Sequence, residues 1–143
     1  MSTDTNASNG TTPRAEPESL RGRALMASLT VRDVTQSLEW YTSVLGFTLD
    51  NKYENQGKVV GASLKAGDVR ILLNQDNGAK GADRPLGVGF SMMIVTTQPV
   101  DEVAARVKAA GGTLQSEPAD MPWGARVFGI VDPHNGYRWT IST

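Results

Sequence analysis

Hydrophobic and polar residues alternate over 25–31, where Leu25, Ala27, Leu29 and Val31 are separated by Met26, Ser28 and Thr30. That is the period-two pattern of a strand with two unlike faces. The period then lengthens: Leu38, Tyr41, Val44 and Leu45 recur at helical spacing, behind Asp33 as N-cap and Gln36 as the partner of a capping box. Gly46 supplies the left-handed stop. Phe47 to Leu49 opens a second strand, and Lys58 to Leu64 and Val69 to Leu73 form a hairpin through Lys65-Ala66-Gly67-Asp68. The order is β-α-β-β-β. A loop of connector composition, NQDNGAKGADRPLGVG, follows over 74–89, and then the order returns. Phe90 to Val95 predicts a strand, Pro99 opens a helix with Val100, Val103, Val107 and Ala110 on one face, and Gly111-Gly112 ends it. A final hairpin places Val127, Phe128, Ile130 and Val131 before the turn Asp132-Pro133-His134-Asn135-Gly136, with Tyr137, Trp139 and Ile141 after it.

Self-similarity of order, stop signals and hairpin phase points to a duplicated α+β fold. Gly-Phe-Thr-Leu after the first helix matches Gly-Gly-Thr-Leu after the second. Module one is expected over 24–82 and module two over 86–143, within a single domain at 23–143. Residues 1–22, rich in Ser, Thr, Asn, Gly and Pro, are expected to be a disordered tail.

Composition narrows the chemistry. A chain of 143 residues, 39% hydrophobic, can bury one real core. Its net charge of −1 without a long charge run argues against a nucleic-acid partner. No apolar run is long enough to cross a bilayer and the opening residues lack a signal peptide's apolar stretch, so a cytoplasmic protein with no membrane partner is expected. With no cysteine and one histidine, a two-His-one-carboxylate centre within one subunit is impossible. His134 itself lies in a turn and reads as a surface residue, while Asp76 and Asp83 read as loop residues rather than cation ligands. No Ser-His-Asp, phosphate-loop or dinucleotide signature is present.

Val31-Arg32-Asp33-Val34, the run SLEWYTSVLGF over 37–47, and Asp132-Pro133-His134-Asn135-Gly136 resemble the vicinal oxygen chelate superfamily. That superfamily groups glyoxalase I, bleomycin-resistance proteins, fosfomycin-resistance enzymes and extradiol dioxygenases. Pro122-Trp123-Gly124, Arg126, Phe128 and Asp132-Pro133 are most similar to its bleomycin-resistance branch. The resemblance implies two β-α-β-β-β modules whose mixed sheet curls around a cavity, commonly in a homodimer with pockets near the interface. In metal-using members the ligands stand on the first and last strands of each module. Here those positions fall on Met26, on Leu72, on one of Phe90, Ser91 and Met92, and on Thr140, none of them an imidazole or a carboxylate. No metal and no cofactor is therefore expected.

If Met26 faces the cavity, strand alternation adds Ser28 and Thr30, then Arg70, Leu72 and Asn74, and on the final strand Arg138 and Thr140. Phe90, Met92 and Trp123 are expected near the rim. This lining is apolar with a few hydroxyl, amide and guanidinium groups, which suits a planar or amphipathic organic molecule. Two alternatives stay open: Trp123 covers the core edge, and Met26, Leu72 and Phe90 fill space as core. The functional expectation is a metal-free binder of an aromatic or drug-like compound. The alternative is an enzyme of the superfamily with an atypical site: a metal-dependent lyase or isomerase, or one using Arg70, Arg138 or His134 as electrophile or acid. A third is a protein-interaction module with a filled pocket.

Overall fold

The Asp33 carboxylate accepts the backbone N–H groups of Thr35 (3.0 Å) and Gln36 (3.1 Å). It thus satisfies two of the donors that an unfinished helix end leaves bare, a cap that stabilises by about 1 kcal/mol. The helix it starts, α1 (Val34–Ser43), lies between β1 (Ala27–Val31) and the run β2 (Thr48–Asn55), β3 (Lys58–Ala66) and β4 (Val69–Gln75). The second unit repeats this with β5 (Met92–Val95), α2 (Val100–Ala109), β6 (Leu114–Asp120), β7 (Arg126–Val131) and β8 (Arg138–Ser142). The computed structural model describes residues 19–143, so residues 1–18 of the expected tail lie outside the described residues.

The strands form two four-stranded mixed sheets, ordered β1-β4-β3-β2 and β5-β8-β7-β6. In each unit the first strand pairs parallel with the last, and the remaining pairs are antiparallel. A parallel pair needs a crossover, which α1 and α2 provide. The sheets are curled but not closed.

One face of each sheet is buried under its helix. Leu29 and Val31 on β1, Ala62 and Leu64 on β3, and Ile71 and Leu73 on β4 are buried, as are Phe128, Ile130, Trp139 and Ile141 in the second sheet. Burying one such side chain stabilises by about 1.5–3 kcal/mol. Both sheets feed one continuous core. At its centre the Tyr41 ring meets Trp40, Trp139 and Phe47 edge-on, at centroid distances of 4.8, 5.8 and 6.1 Å. The two helix ends also converge: a Cβ on Gly112 would fall 2.6 Å from both Val107 Cγ1 and Val44 Cγ1, so a larger residue there would push them apart.

Three local expectations shift. β1 begins at Ala27, and Leu25 is exposed, because nothing pairs with the chain before Ala27. The buried face of α1 carries Val34, Ser37, Trp40 and Tyr41 rather than being centred on Leu38, which is half-buried. The extended run after Phe47 continues to Asn55, although every residue of β2 is exposed.

Candidate functional site

The turn at Asp132 forms an interior polar hub. Asp132 is buried, and its Oδ1 accepts the backbone N–H groups of His134 (2.8 Å) and Asn135 (3.2 Å). Its Oδ2 accepts the Tyr41 hydroxyl (3.0 Å) and Asn135 Nδ2 (2.8 Å). Trp139 Nε1 donates to the Tyr41 hydroxyl (3.1 Å), and Asn135 Nδ2 also donates to Ser37 Oγ (2.9 Å). Two further bonds cross between the units, from Arg32 N–H to Asn135 Oδ1 (2.9 Å) and from Tyr137 Oη to the Thr30 carbonyl (2.6 Å). A buried carboxylate is tolerated only when its lone pairs are filled, and here four donors fill them. Burial, reinforced by the Asp132 charge, holds the Tyr41 hydroxyl far above its ordinary pKa; burial also raises that of Tyr137. Tyr41 therefore remains a neutral donor. The motif that carries the family resemblance thus fastens module two to module one and is closed to a ligand. His134 is half-buried beside it, with its backbone engaged in the turn.

Two loop and strand charges are likewise occupied. Asp76 accepts the Gly78 N–H (3.1 Å) and faces Arg84 Nη2 (3.5 Å), and these donors hold its carboxyl below the usual range. Arg126 forks onto Asp101 and Asp120, with nitrogen–oxygen distances of 3.1–3.2 Å, tying the start of α2 to the β6–β7 hairpin.

The helix-free faces remain. On sheet one, register sets Ser28 beside Leu72, Leu72 beside Ser63, and Lys65 beside Arg70. Asn74 Nδ2 donates to Ser28 Oγ (2.7 Å). Thr48 pairs with Lys65 and Leu49 with core-facing Leu64, so alternation carries Asp50 to the open face, and the register shift between Leu49 and Asn51 brings Asn51, opposite Ser63, to that face as well. There Oδ2 accepts Arg70 Nη1 (2.8 Å) and Ser63 Oγ (3.3 Å), while Oδ1 lies 4.0 Å from Lys65 Nζ. Tyr53 lies over Gly61: a Cβ on Gly61 would be 3.6 Å from the Tyr53 ring and 3.1 Å from the Leu73 carbonyl oxygen.

On sheet two the open face mixes exposed aliphatic residues with Thr140 and Arg138. Gly129 opposes Thr140, Val131 opposes Arg138, and Met93 pairs with Thr140. Met93 and Val95 are 57% and 68% exposed, which separates them from Met92 and Ile94 on the core side.

Of the residues expected from sequence, Ser28, Arg70, Leu72 and Asn74 share the open face of sheet one, and Arg138 and Thr140 that of sheet two. Met26 precedes β1 and is exposed; Phe90 precedes β5 with its ring 5.9 Å from that of Tyr137. Trp123 sits at the β6–β7 turn and is 70% exposed, so it does not cover the core edge. Met92 is corrected by one position: it packs on the core opposite Trp139, and Met93 takes the open-face place. Sequence reasoning missed Asp50, Ser63, Lys65 and Tyr53. The registers that gather Asp50, Ser63 and Lys65 across strands have no local signature, whereas Gly61 inside a strand signals close approach of another group.

Two grooves of about 530 and 600 Å³ lie where the modules meet, along the ends of α1 and α2, and share Leu45, Gly46, Gln98 and Val103. Neither is lined by any of the ten expected site residues.

The model of the glyoxalase/bleomycin resistance protein/dioxygenase superfamily matches residues 23–141. The chain belongs to this superfamily. It is similar to lactoylglutathione lyase GLX1 of Arabidopsis thaliana, 26% identical over 132 residues, covering 87% of this chain and 45% of that protein. It is also similar to a probable lactoylglutathione lyase of Vibrio cholerae, 31% identical over 120 residues, covering 80% of this chain and 86% of that protein. The chain spans about half or less of the length of the plant relatives it matches, from Arabidopsis thaliana and Brassica oleracea. Among solved structures it resembles TioX from Micromonospora sp. ML1, 25% identical, with a TM-score of 0.68 over 85% of this chain and 98% of that one. UcmS2, 19% identical, shares the fold with a TM-score of 0.67 over 86% of this chain and 98% of that one.

The superfamily includes metal-using enzymes, and the donor set here does not fit their ion. Met26 offers a thioether, Leu72 nothing, and Thr140 a hydroxyl. Among the described residues no three His, Asp or Glu side chains converge. Asp50, a carboxylate on the open face of sheet one, is paired with two cations, which compete with any metal for it. Among the described residues no helix is long and apolar enough to cross a membrane.

Proposed function

We propose that this member of the superfamily is a metal-free, cytoplasmic small-molecule binding protein that takes an aromatic or drug-like compound on its open sheet faces and works as a homodimer. The observation that carries this reading is the open-face chemistry itself. The positions used for metal in relatives hold Met26, Leu72 and Thr140, and around them stand hydrogen-bonding groups on one sheet and exposed aliphatic groups on the other. Such a surface orients an organic molecule by shape and a few polar contacts, and lacks the Lewis acid that would polarise a carbonyl. An exposed run of Met93 and Val95 is also better covered than solvated, which favours a second copy or a ligand.

A second reading, a lyase or isomerase of the glyoxalase I type, is favoured by the relatives named lactoylglutathione lyase. The two separate in one experiment. Untagged protein purified without chelators is analysed for metal by mass spectrometry, then assayed with the hemithioacetal of methylglyoxal and glutathione and titrated with an aromatic ligand panel. Binder behaviour is substoichiometric metal, no turnover and saturable binding. Near one equivalent of transition metal per chain with turnover would establish the enzyme instead.

A further inference from the structure

The open face of sheet one carries a charge arrangement that the strand pattern alone would not produce. Lys65 and Arg70 are direct cross-strand partners, so two cations project side by side from β3 and β4. Like charges directly opposite one another repel. From β2 the Asp50 carboxylate reaches over them, 2.8 Å from Arg70 Nη1 and 4.0 Å from Lys65 Nζ, leaving the group one positive charge in excess. Among the described residues Arg70 uses only Nη1 in this contact. Its Nε and Nη2, and the Lys65 ammonium, are left to face a ligand. The three side chains are 34–48% exposed, a setting in which ion pairs contribute little to stability. Two residues further along β4, about 7 Å away on the same face, Leu72 offers an apolar floor, and Asn74 follows two residues beyond it.

We propose that Arg70 and Lys65 are an anion-recognition pair, held by Asp50, and that the ligand of this face is an amphipathic organic monoanion: an arene bearing a carboxylate or a comparable oxyanion. The anionic head takes the excess charge at Arg70 and Lys65, as a guanidinium fork readily does, and the ring lies on Leu72 toward Tyr53. Asp50 sets selectivity as well as position. It keeps the two cations from repelling one another and, by neutralising one of their two charges, matches the site to a single negative charge rather than two. This inference rests on the small-molecule reading of the open face.

The test uses two dyes of nearly the same shape, anionic anilinonaphthalenesulfonate and neutral N-phenylnaphthylamine, each of which brightens in apolar surroundings. Both are titrated into the full chain and into Arg70→Gln, Lys65→Gln, Asp50→Asn and Leu72→Ala. Arg70→Gln and Lys65→Gln are each expected to weaken the sulfonate by about tenfold and leave the neutral dye within about twofold. Asp50→Asn tightens the sulfonate by about threefold, because it removes the competing carboxylate. Leu72→Ala weakens both dyes. Equal effects of Arg70→Gln on the two dyes, or none, overturn the anion pair while leaving the binding face intact. Absence of saturable binding by either dye, or binding indifferent to Leu72→Ala, overturns the small-molecule reading and this inference together. Unchanged circular dichroism and melting temperature in Arg70→Gln show that the loss reads recognition, not folding.

Discussion

The two modules repeat each other on the side that faces the helices and diverge on the side that faces away. Under α1 the first sheet presents Leu29, Val31, Ile71 and Leu73; the second sheet answers with Trp139, Ile141, Phe128 and Ile130, and one core joins them. On the open side module one carries three charges, Asp50, Lys65 and Arg70, beside Leu72 and Asn74, whereas module two carries Met93, Val95 and Val131 beside one charge, Arg138, and Thr140. A duplicated fold constrains the buried face through packing, because any change of volume there is felt at once. The open face is under no such constraint and is free to take on separate chemistry. The difference concentrates charge on the open face of module one and exposed aliphatic surface on that of module two.

The largest expected effect tests whether the modules stand on a shared interior. Asp132→Ala leaves the Tyr41 hydroxyl, two backbone N–H groups and the Asn135 amide short of an acceptor, and is expected to destabilise by about 4 kcal/mol, read by urea denaturation. Unfolding of one sheet alone would show instead that the modules are independent.

Neighbouring residues on opposite faces give the sharpest contrast. Leu73→Ala, on the core side, is expected to cost about 3 kcal/mol, whereas Leu72→Ala on the open side costs less than about 1 kcal/mol and lowers ligand binding instead. Equal losses of stability would erase the distinction between the faces.

The buried phenol predicts an alkaline limit. The folded state keeps the Tyr41 proton above pH ~10, where the unfolded chain releases it, so stability is complete below that pH and falls above it by about 1.4 kcal/mol per pH unit. Tyr41→Phe should lower the melting temperature at neutral pH, since it leaves Trp139 Nε1 without its acceptor, and should flatten the alkaline decline. A wild-type curve flat from pH 9 to 11 would contradict the buried neutral phenol.

The smallest effect on monomer stability, within about 0.5 kcal/mol, is expected for Met93→Asp, since its side chain is largely in solvent. In the proposed homodimer the same change should shift the protein toward monomer in analytical ultracentrifugation, which Asp50→Asn on the other face should not do. A wild-type monomer would remove the proposed dimer, and a dimer that neither change dissociates would move its contact off this face.

The sequence by itself determined the elements and the helix-facing core. The Asp33 cap, the glycine stops and the alternation of Leu29 with Val31 and of Trp139 with Ile141 are local signals, and each acts over a few residues. Its resemblance to the superfamily also implied that the metal positions fall on Met26, Leu72, one of Phe90, Ser91 and Met92, and Thr140. What it could not supply were quantities set across sheets. Asp132-Pro133-His134-Asn135-Gly136 reads locally as a turn, yet its carboxylate is buried against Tyr41, 91 residues earlier. Met93 rather than Met92 faces outward because pairing with β8 fixes the phase of so short a strand, and a shift of one residue exchanges the two faces. Asp50 reaches Arg70 across β3 because the registers of β2 on β3 and of β3 on β4 set them level, and no pattern along one strand reports that. Local propensity acts along the chain, whereas register and bulges are decided between strands, so alternation showed that Ser28, Arg70, Leu72 and Asn74 share a face, and only the formed sheets showed which groups gather around them.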